Sequence, residues 1–255
     1  APSSLTGQQP WSASPYHEDG PDFEPPRAAT EDDLARTIEA FADAAARCER
    51  AGFGGVELHG AHGYLLSQFL STAMNLRTDA WGGDLAGRAR LLRAVLRAVR
   101  ARVAPGFVVG VRLSPEDFGQ ARGLDLDETI EVARWLCADG ADFIHLSLWR
   151  SERMTAKRPD QHPIPLFRAA CPPEVAIIAA GGIWTVAEAQ AALDRGADLV
   201  ALGRAAIINP DWPHQAATPG WAPRRPPLTI AELEAVAVSP HFGGYLRRWK
   251  GFVAD

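Results

Sequence analysis

The stretch Glu57-Leu58-His59-Gly60-Ala61-His62-Gly63-Tyr64 sets two imidazoles and a phenol within six residues. Side chains of these types donate hydrogen bonds and move protons near neutral pH. The apolar run Gly54-Gly55-Val56 before them reads as a short buried strand. Strand alternation puts Glu57 and His59 on one face and Val56 and Leu58 on the other, with His59 where the strand ends. Gly60 and Gly63 are expected to let the backbone turn tightly, so that His62 and Tyr64 face the same space as His59. A metal pair or two surface histidines are the plainer readings of His59 and His62. A metal fits poorly, because no third ligand at a familiar spacing accompanies them.

The elements that must hold this cluster alternate along the chain. Thr30 with Asp33 reads as a capping box, and Leu34, Ile38, Phe41 and Ala45 recur at helical spacing up to Gly52. That helix feeds the strand ending at His59. Asp84 can cap a long helix through Arg88, Leu92, Val95 and Val99, and Phe107 to Leu113 reads as a second buried strand. A helix from about Leu126 to Ala138 leads into a strand at Gly140 to Leu146. Val175 to Ala180 forms a further strand, a helix starts near Thr185, and Gly196 to Gly203 holds a fifth strand. Three helix-to-strand joints read alike: Ala51-Gly52-Phe53-Gly54, Asp139-Gly140-Ala141-Asp142 and Arg195-Gly196-Ala197-Asp198.

Such alternation calls for a parallel α/β sheet covered by helices, with a (β/α) barrel as the leading architecture. A doubly wound sheet is the alternative, although no Gly-x-Gly-x-x-Gly opens a helix. Only five strands are visible against a barrel's eight. Residues 1–29 carry six prolines and no periodic apolar pattern, so they read as an extended loop that supplies no further strand.

The 255 residues are 47% hydrophobic with a formal charge of −5, which describes one soluble domain, here a single partial barrel over 1–255. Basic residues number 26 against 31 acidic ones, and no Lys/Arg run is dense enough to follow a phosphate backbone, so no nucleic-acid partner is expected. No apolar window is long enough to span a membrane, and no basic-then-apolar leader is visible at Ala1-Pro2-Ser3-Ser4, which reads as cytoplasmic. Cys48, Cys137 and Cys171 are odd in number and widely separated, so they are expected to be three buried, reduced thiols.

His59-Gly-Ala-His-Gly-Tyr-Leu-Leu66, read with Arg77 to Leu85, Val111-Arg112-Leu113-Ser114-Pro115, Ala180-Gly181-Gly182-Ile183 and Leu202-Gly203-Arg204, resembles the Old Yellow Enzyme family of flavin-dependent ene reductases. The order and spacing of these motifs over residues 24–213 make the likeness specific. The resemblance implies a (β/α)8 TIM barrel that binds FMN, takes hydride from NAD(P)H and delivers it to the β-carbon of an enone. It also implies that the visible strands correspond to strands four to eight of that barrel. A homo-oligomer, or a separate N-terminal half-barrel, is the protein partner that this leaves open. A non-catalytic fragment, a split barrel and a barrel for another phosphorylated ligand are the competing functions.

The same resemblance assigns roles. His59 and His62 resemble the pair that hydrogen-bonds the substrate's carbonyl oxygen and stabilises the enolate, a task that suits neutral donors. Tyr64 resembles the proton donor to the α-carbon, since a phenol with a pKa of about 10 stays protonated at neutral pH yet can quench a carbanion. Arg112 ends an apolar strand and needs an anionic partner: the pyrimidine side of the flavin by resemblance, or Glu57 across the barrel. Gly181, Gly182, Gly203 and Arg204 follow the last two strands, where barrels commonly bind phosphate. His145 and Trp149 lie at the mouth without a role. The loop with Arg150, Arg153, Lys157 and Arg158 reads as solvated or as a seat for nucleotide phosphates.

Overall fold

A computed structural model describes residues 9–17, 23–117 and 122–254. In chain order it contains β1 (Trp11–Ser12), β2 (Arg27–Ala28), α1 (Glu31–Arg50), β3 (Gly55–Gly60), α2 (Leu65–Leu70), α3 (Leu85–Arg102), β4 (Val108–Leu113), α4 (Leu126–Ala138) and β5 (Phe143–Ser147). There follow α5 (Pro163–Ala170), β6 (Ala176–Ala180), α6 (Val186–Asp194), β7 (Leu199–Ala201), α7 (Arg204–Ile208), α8 (Trp212–Gln215), α9 (Ile230–Glu234) and α10 (Pro240–Leu246).

The main sheet runs β3-β4-β5-β6-β7, every pair parallel. Neighbours in sequence are neighbours in space throughout. A doubly wound sheet must reverse its strand order at a switch point, so this order excludes that alternative and is the winding of a (β/α) barrel. Among the described residues β3 and β7 each pair on one side only.

The two faces of the sheet differ in chemistry. Outward-facing Leu58, Val111, Ile144, Leu146, Ile177 and Ala179 are buried beneath the helices and join one core with Leu92 and Val95 of α3, Leu136 of α4 and Phe167 of α5. Burying each large side chain there contributes about 1.5–3 kcal/mol. The inner face carries cross-strand rows: Glu57, Gly110, Phe143 and Ala176 in one, and His59, Arg112, His145, Ile178 and Leu199 in the next. Register thus brings one residue from each of three strands into a basic row.

Helix boundaries follow local chemistry. Thr30 and Asp33 form the capping box of α1, and Arg27 pairs with Asp33 at 2.5 Å, holding that carboxyl far below the usual range. Asp84 caps α3 by accepting from Gly87 N at 2.8 Å. The repeated Gly-Ala-Asp joints have a common purpose. Asp142 accepts from Val109 N and Asp198 from Ile177 N, each at 2.7 Å, so each aspartate fastens the start of one strand to its neighbour. Each also binds an arginine, Arg100 and Arg168 respectively. The first joint has Gly54 where the others have aspartate, and Phe53, standing where they have alanine, is exposed.

Three expectations change. The stretch up to residue 29 is not loop throughout its described part: β1 and β2 pair in parallel, and Arg77 Nη1 donates to Ala13 O and Ala29 O at 3.1 and 2.8 Å, docking the segment on the body. Of the thiols only Cys171 is buried, while Cys48 and Cys137 are partly exposed. The basic loop after β5 is laced by exposed ion pairs rather than left to solvent alone: Arg150 pairs with Glu152, Lys157 with Asp125 and Asp127, and Arg158 with Asp127. No helix is long and apolar enough among the described residues to cross a membrane.

Candidate active site

β3 delivers His59 to the inner face at its C-terminal end, and the chain then turns sharply. The turn is made by His62 and Gly63, at φ +62° and +73°. Gly63 adopts this left-handed backbone freely, whereas His62 pays about 1–2 kcal/mol for it. Its cost is offset by two anchors: His62 N donates to Ser114 Oγ at 3.1 Å, and its Nε2 lies 2.5 Å from Ser147 Oγ. Gly60, expected to turn the chain, instead remains in the strand, and a side chain there would press on the Arg112 carbonyl at 3.0 Å.

The turn does bring the three predicted groups together. The His59 ring lies 5.0 Å from the His62 ring and 5.2 Å from the Tyr64 ring, centroid to centroid. Tyr64 immediately precedes α2 and is 54% exposed, so its hydroxyl belongs to the open mouth.

Beside this cluster stands Arg112, half-buried, with Nη2 donating to Ser147 Oγ at 3.0 Å and Nε buried without a partner. The alternative ion pair with Glu57 does not form. Glu57 Oε2 instead takes a hydrogen bond from His145 Nδ1 at 2.6 Å, and His145 Nε2 is also buried without a partner. Two unpaired buried nitrogens on neighbouring strands are uncommon, and they mark this face as built to meet something polar.

The electrostatics keep the histidines neutral. Burial, reinforced by the Arg112 charge, pushes His59 below its ordinary 6.5 and His62 down to about 4. At pH 7 both rings donate as neutral imidazoles. Burial alone would raise the Glu57 carboxyl, but the hydrogen bond from His145 and the nearby cations outweigh it and hold Glu57 ionised.

From Arg112 a cleft of about 280 Å³ runs across the tops of β5, β6 and β7. It is lined by His145, Ser147, Gly181, Gly182, Gly203 and Arg204, among others. Gly181 is required by close approach, because a side chain there would collide with the Leu148 carbonyl. At Gly182 and Gly203 an added Cβ would meet nothing within 4 Å, so both border open space. Arg204 is exposed and has no ion pair among the described residues. The cleft therefore joins Arg112 to the four predicted phosphate residues. The His59–His62–Tyr64 cluster lies outside its lining and is linked to it through Ser147.

Sequence reasoning missed Ser147 and left His145 unassigned. The signal was present for both, since alternation from Phe143 puts His145 and Ser147 on one strand face. Their partners sit 85 and 88 residues away in the chain, and no local pattern encodes that. Trp149 is 62% exposed and does not line the cleft.

The profile of the NADH:flavin oxidoreductase / NADH oxidase family matches residues 9–219. The chain is 35% identical over 221 residues to the NADH:fumarate oxidoreductase of Klebsiella pneumoniae (strain 342), covering 83% of this chain and 24% of that protein. It is 36% identical over 220 residues to the NADH:acrylate oxidoreductase of Vibrio harveyi, covering 82% and 22%. Its fold is similar to that of morphinone reductase, with a TM-score of 0.74 and 30% identity over 89% of this chain and 63% of that one. The chain thus spans about a quarter of the first two relatives and under two thirds of the third. Its five-stranded sheet covers part of a (β/α)8 barrel.

Proposed function

The chain belongs to the Old Yellow Enzyme family, described as NADH:flavin oxidoreductase / NADH oxidase, and on that premise we propose that it reduces the C=C bond of an α,β-unsaturated carbonyl compound, with FMN as cofactor and NAD(P)H as reductant. The observation that carries this reading is the convergence of His62 and Tyr64 on His59, with ring centroids 5.0 and 5.2 Å from it, beside the unsatisfied Arg112. Two relatives are named for fumarate and acrylate, whose C=C bonds are conjugated to a carboxyl group, and the reading extends that substrate class to this chain.

The residues fit the cofactor. Arg112, with a buried Nε that lacks an acceptor, would hold the electron-rich pyrimidine edge of the ring. Gly182 and Gly203 leave space, and Arg204 offers an unpaired guanidinium, for the phosphate at the other end of the cleft. When bound, the flavin supplies hydride chemistry between the nicotinamide and the alkene β-carbon.

The chain's own residues do the rest. His59 and His62, both neutral, donate to the substrate oxygen and stabilise the negative charge that gathers there. Neutral donors serve this step without protonating the oxygen outright. Tyr64, at the open mouth, gives a proton to the α-carbon. Rapid-reaction kinetics of flavin-loaded protein test these roles. Tyr64→Phe is expected to slow the alkene phase about 10²–10⁴-fold and leave the NAD(P)H phase nearly unchanged, in line with general-acid catalysis. Equal loss in both phases would remove Tyr64 as donor.

One observation bears on how the site is completed. Val108 and Leu199, on the inner face, are 42% and 55% exposed, and β3 and β7 each lack a second neighbour among the described residues. We propose that further strands pair with these edges in the working protein, in the same chain or in a partner.

A further inference from the structure

Ser147 ends β5 on the inner face, and its hydroxyl stands between two side chains brought there by other strands. Arg112 Nη2 is 3.0 Å from Ser147 Oγ and His62 Nε2 is 2.5 Å from it. A guanidinium can only donate, so its bond to Ser147 consumes a lone pair of Oγ and never the hydroxyl proton. Ser147 is buried, and a buried hydroxyl proton needs an acceptor. Among the described residues the hydrogen bonds of Oγ reach only Arg112 and His62, which leaves His62 Nε2 to accept. A ring nitrogen that accepts carries no hydrogen, and in a neutral imidazole the hydrogen then sits on Nδ1. The left-handed backbone of His62 is itself fastened by its bond to Ser114, which fixes where the side chain starts.

We infer that Ser147 is a positioning residue that locks His62 in its Nδ1–H tautomer, so that the proton His62 offers to a substrate oxygen is the one on Nδ1. The assignment of that oxygen rests on the function proposed above. Arg112 sets the direction of the relay. Arg112 takes one lone pair of Ser147 Oγ and offers no acceptor, so the hydroxyl proton goes to His62, the one acceptor beside it among the described residues, and the side chain that faces the cofactor cleft thereby favours the donor that faces the substrate. Removing the hydroxyl removes the direction, and the ring is free to carry its hydrogen on Nε2.

Two-bond ¹H–¹⁵N spectra of the histidine rings in the labelled protein test this, with phenol added as a mimic of the substrate oxygen. The wild type is expected to show a protonated Nδ1 and a bare Nε2 on His62 at pH 7, and phenol to shift the Nδ1–H resonance. Ser147→Ala should move His62 toward the Nε2–H form and weaken phenol binding about three- to tenfold, the range of one net hydrogen bond. Ser147→Thr, which keeps the hydroxyl, should restore both. An Nε2–H pattern in the wild type, or an unchanged tautomer in Ser147→Ala, overturns the inference. If Ser147→Ala does not fold, the wild-type spectrum alone decides. A wild type with the Nδ1–H pattern whose His62 ignores phenol supports the lock and contradicts the substrate reading instead.

Discussion

Leu58, Val111 and Ile144 each lie one residue along the chain from His59, Arg112 and His145, yet the two sets meet opposite conditions. The first set points outward into a core where each side chain is buried among apolar neighbours. The second points inward, where two nitrogens lack partners, one histidine is pushed down to about 4 and the backbone turns left-handed at His62. A strand's two-residue period makes this division possible, because alternate positions can be spent on stability and on chemistry without sharing a neighbour. The outer face holds the strands in place. The inner face keeps its unsatisfied groups only because the outer face holds them.

If that division is real, a change on one face should leave the other intact. Ile144→Ala removes a fully buried outward side chain and is expected to cost about 2–5 kcal/mol of stability, read from chemical denaturation. The His62 ring resonances of the folded fraction should not move. A shift there would show that the two faces are coupled.

His59→Ala makes the converse cut. It should leave the denaturation midpoint almost unchanged, because His59 is only partly buried, while weakening phenolic ligands by about 0.5–1.5 kcal/mol, the net range for a hydrogen bond between neutral groups. Unchanged phenol affinity, measured by titration calorimetry, would place His59 outside the pocket.

The smallest effect concerns pH. The native His62 is held neutral to about pH 4, whereas an unfolded histidine binds its proton near 6.5. Between those values the unfolded chain holds more protons at this residue, so the His62 contribution to stability falls as pH drops from about 6.5 toward 4 and is flat above. At pH 5 the wild type should take up about one more proton on unfolding than His62→Gln does. Equal proton uptake would mean that His62 titrates normally.

The same division explains what could be read from the chain. The boundaries of α4 at Leu126–Ala138, the capping of α1 by Thr30 and Asp33, and the five parallel strands are set by neighbours a few residues apart, so periodicity and capping chemistry reveal them. Motif types located His59, His62, Tyr64 and Arg112. The bonds of Glu57 to His145 and of His62 to Ser147 were not legible, because register across three strands creates them and a single sequence does not specify which inward residues meet. The pairing of Trp11–Ser12 with Arg27–Ala28 escaped notice for a simpler reason: two residues carry no period.

The central claim is that the inner face and its cleft form a flavin site. The most direct measurement is an ¹⁵N amide titration of the protein with FMN, with riboflavin beside it to separate the phosphate end from the ring. FMN should shift Arg112, Gly182, Gly203 and Arg204 and spare the outward-facing Leu58, Val111 and Ile144, while riboflavin should keep the Arg112 shift and lose those at Gly203 and Arg204. Shifts absent from the cleft, or spread equally over both faces, would contradict it.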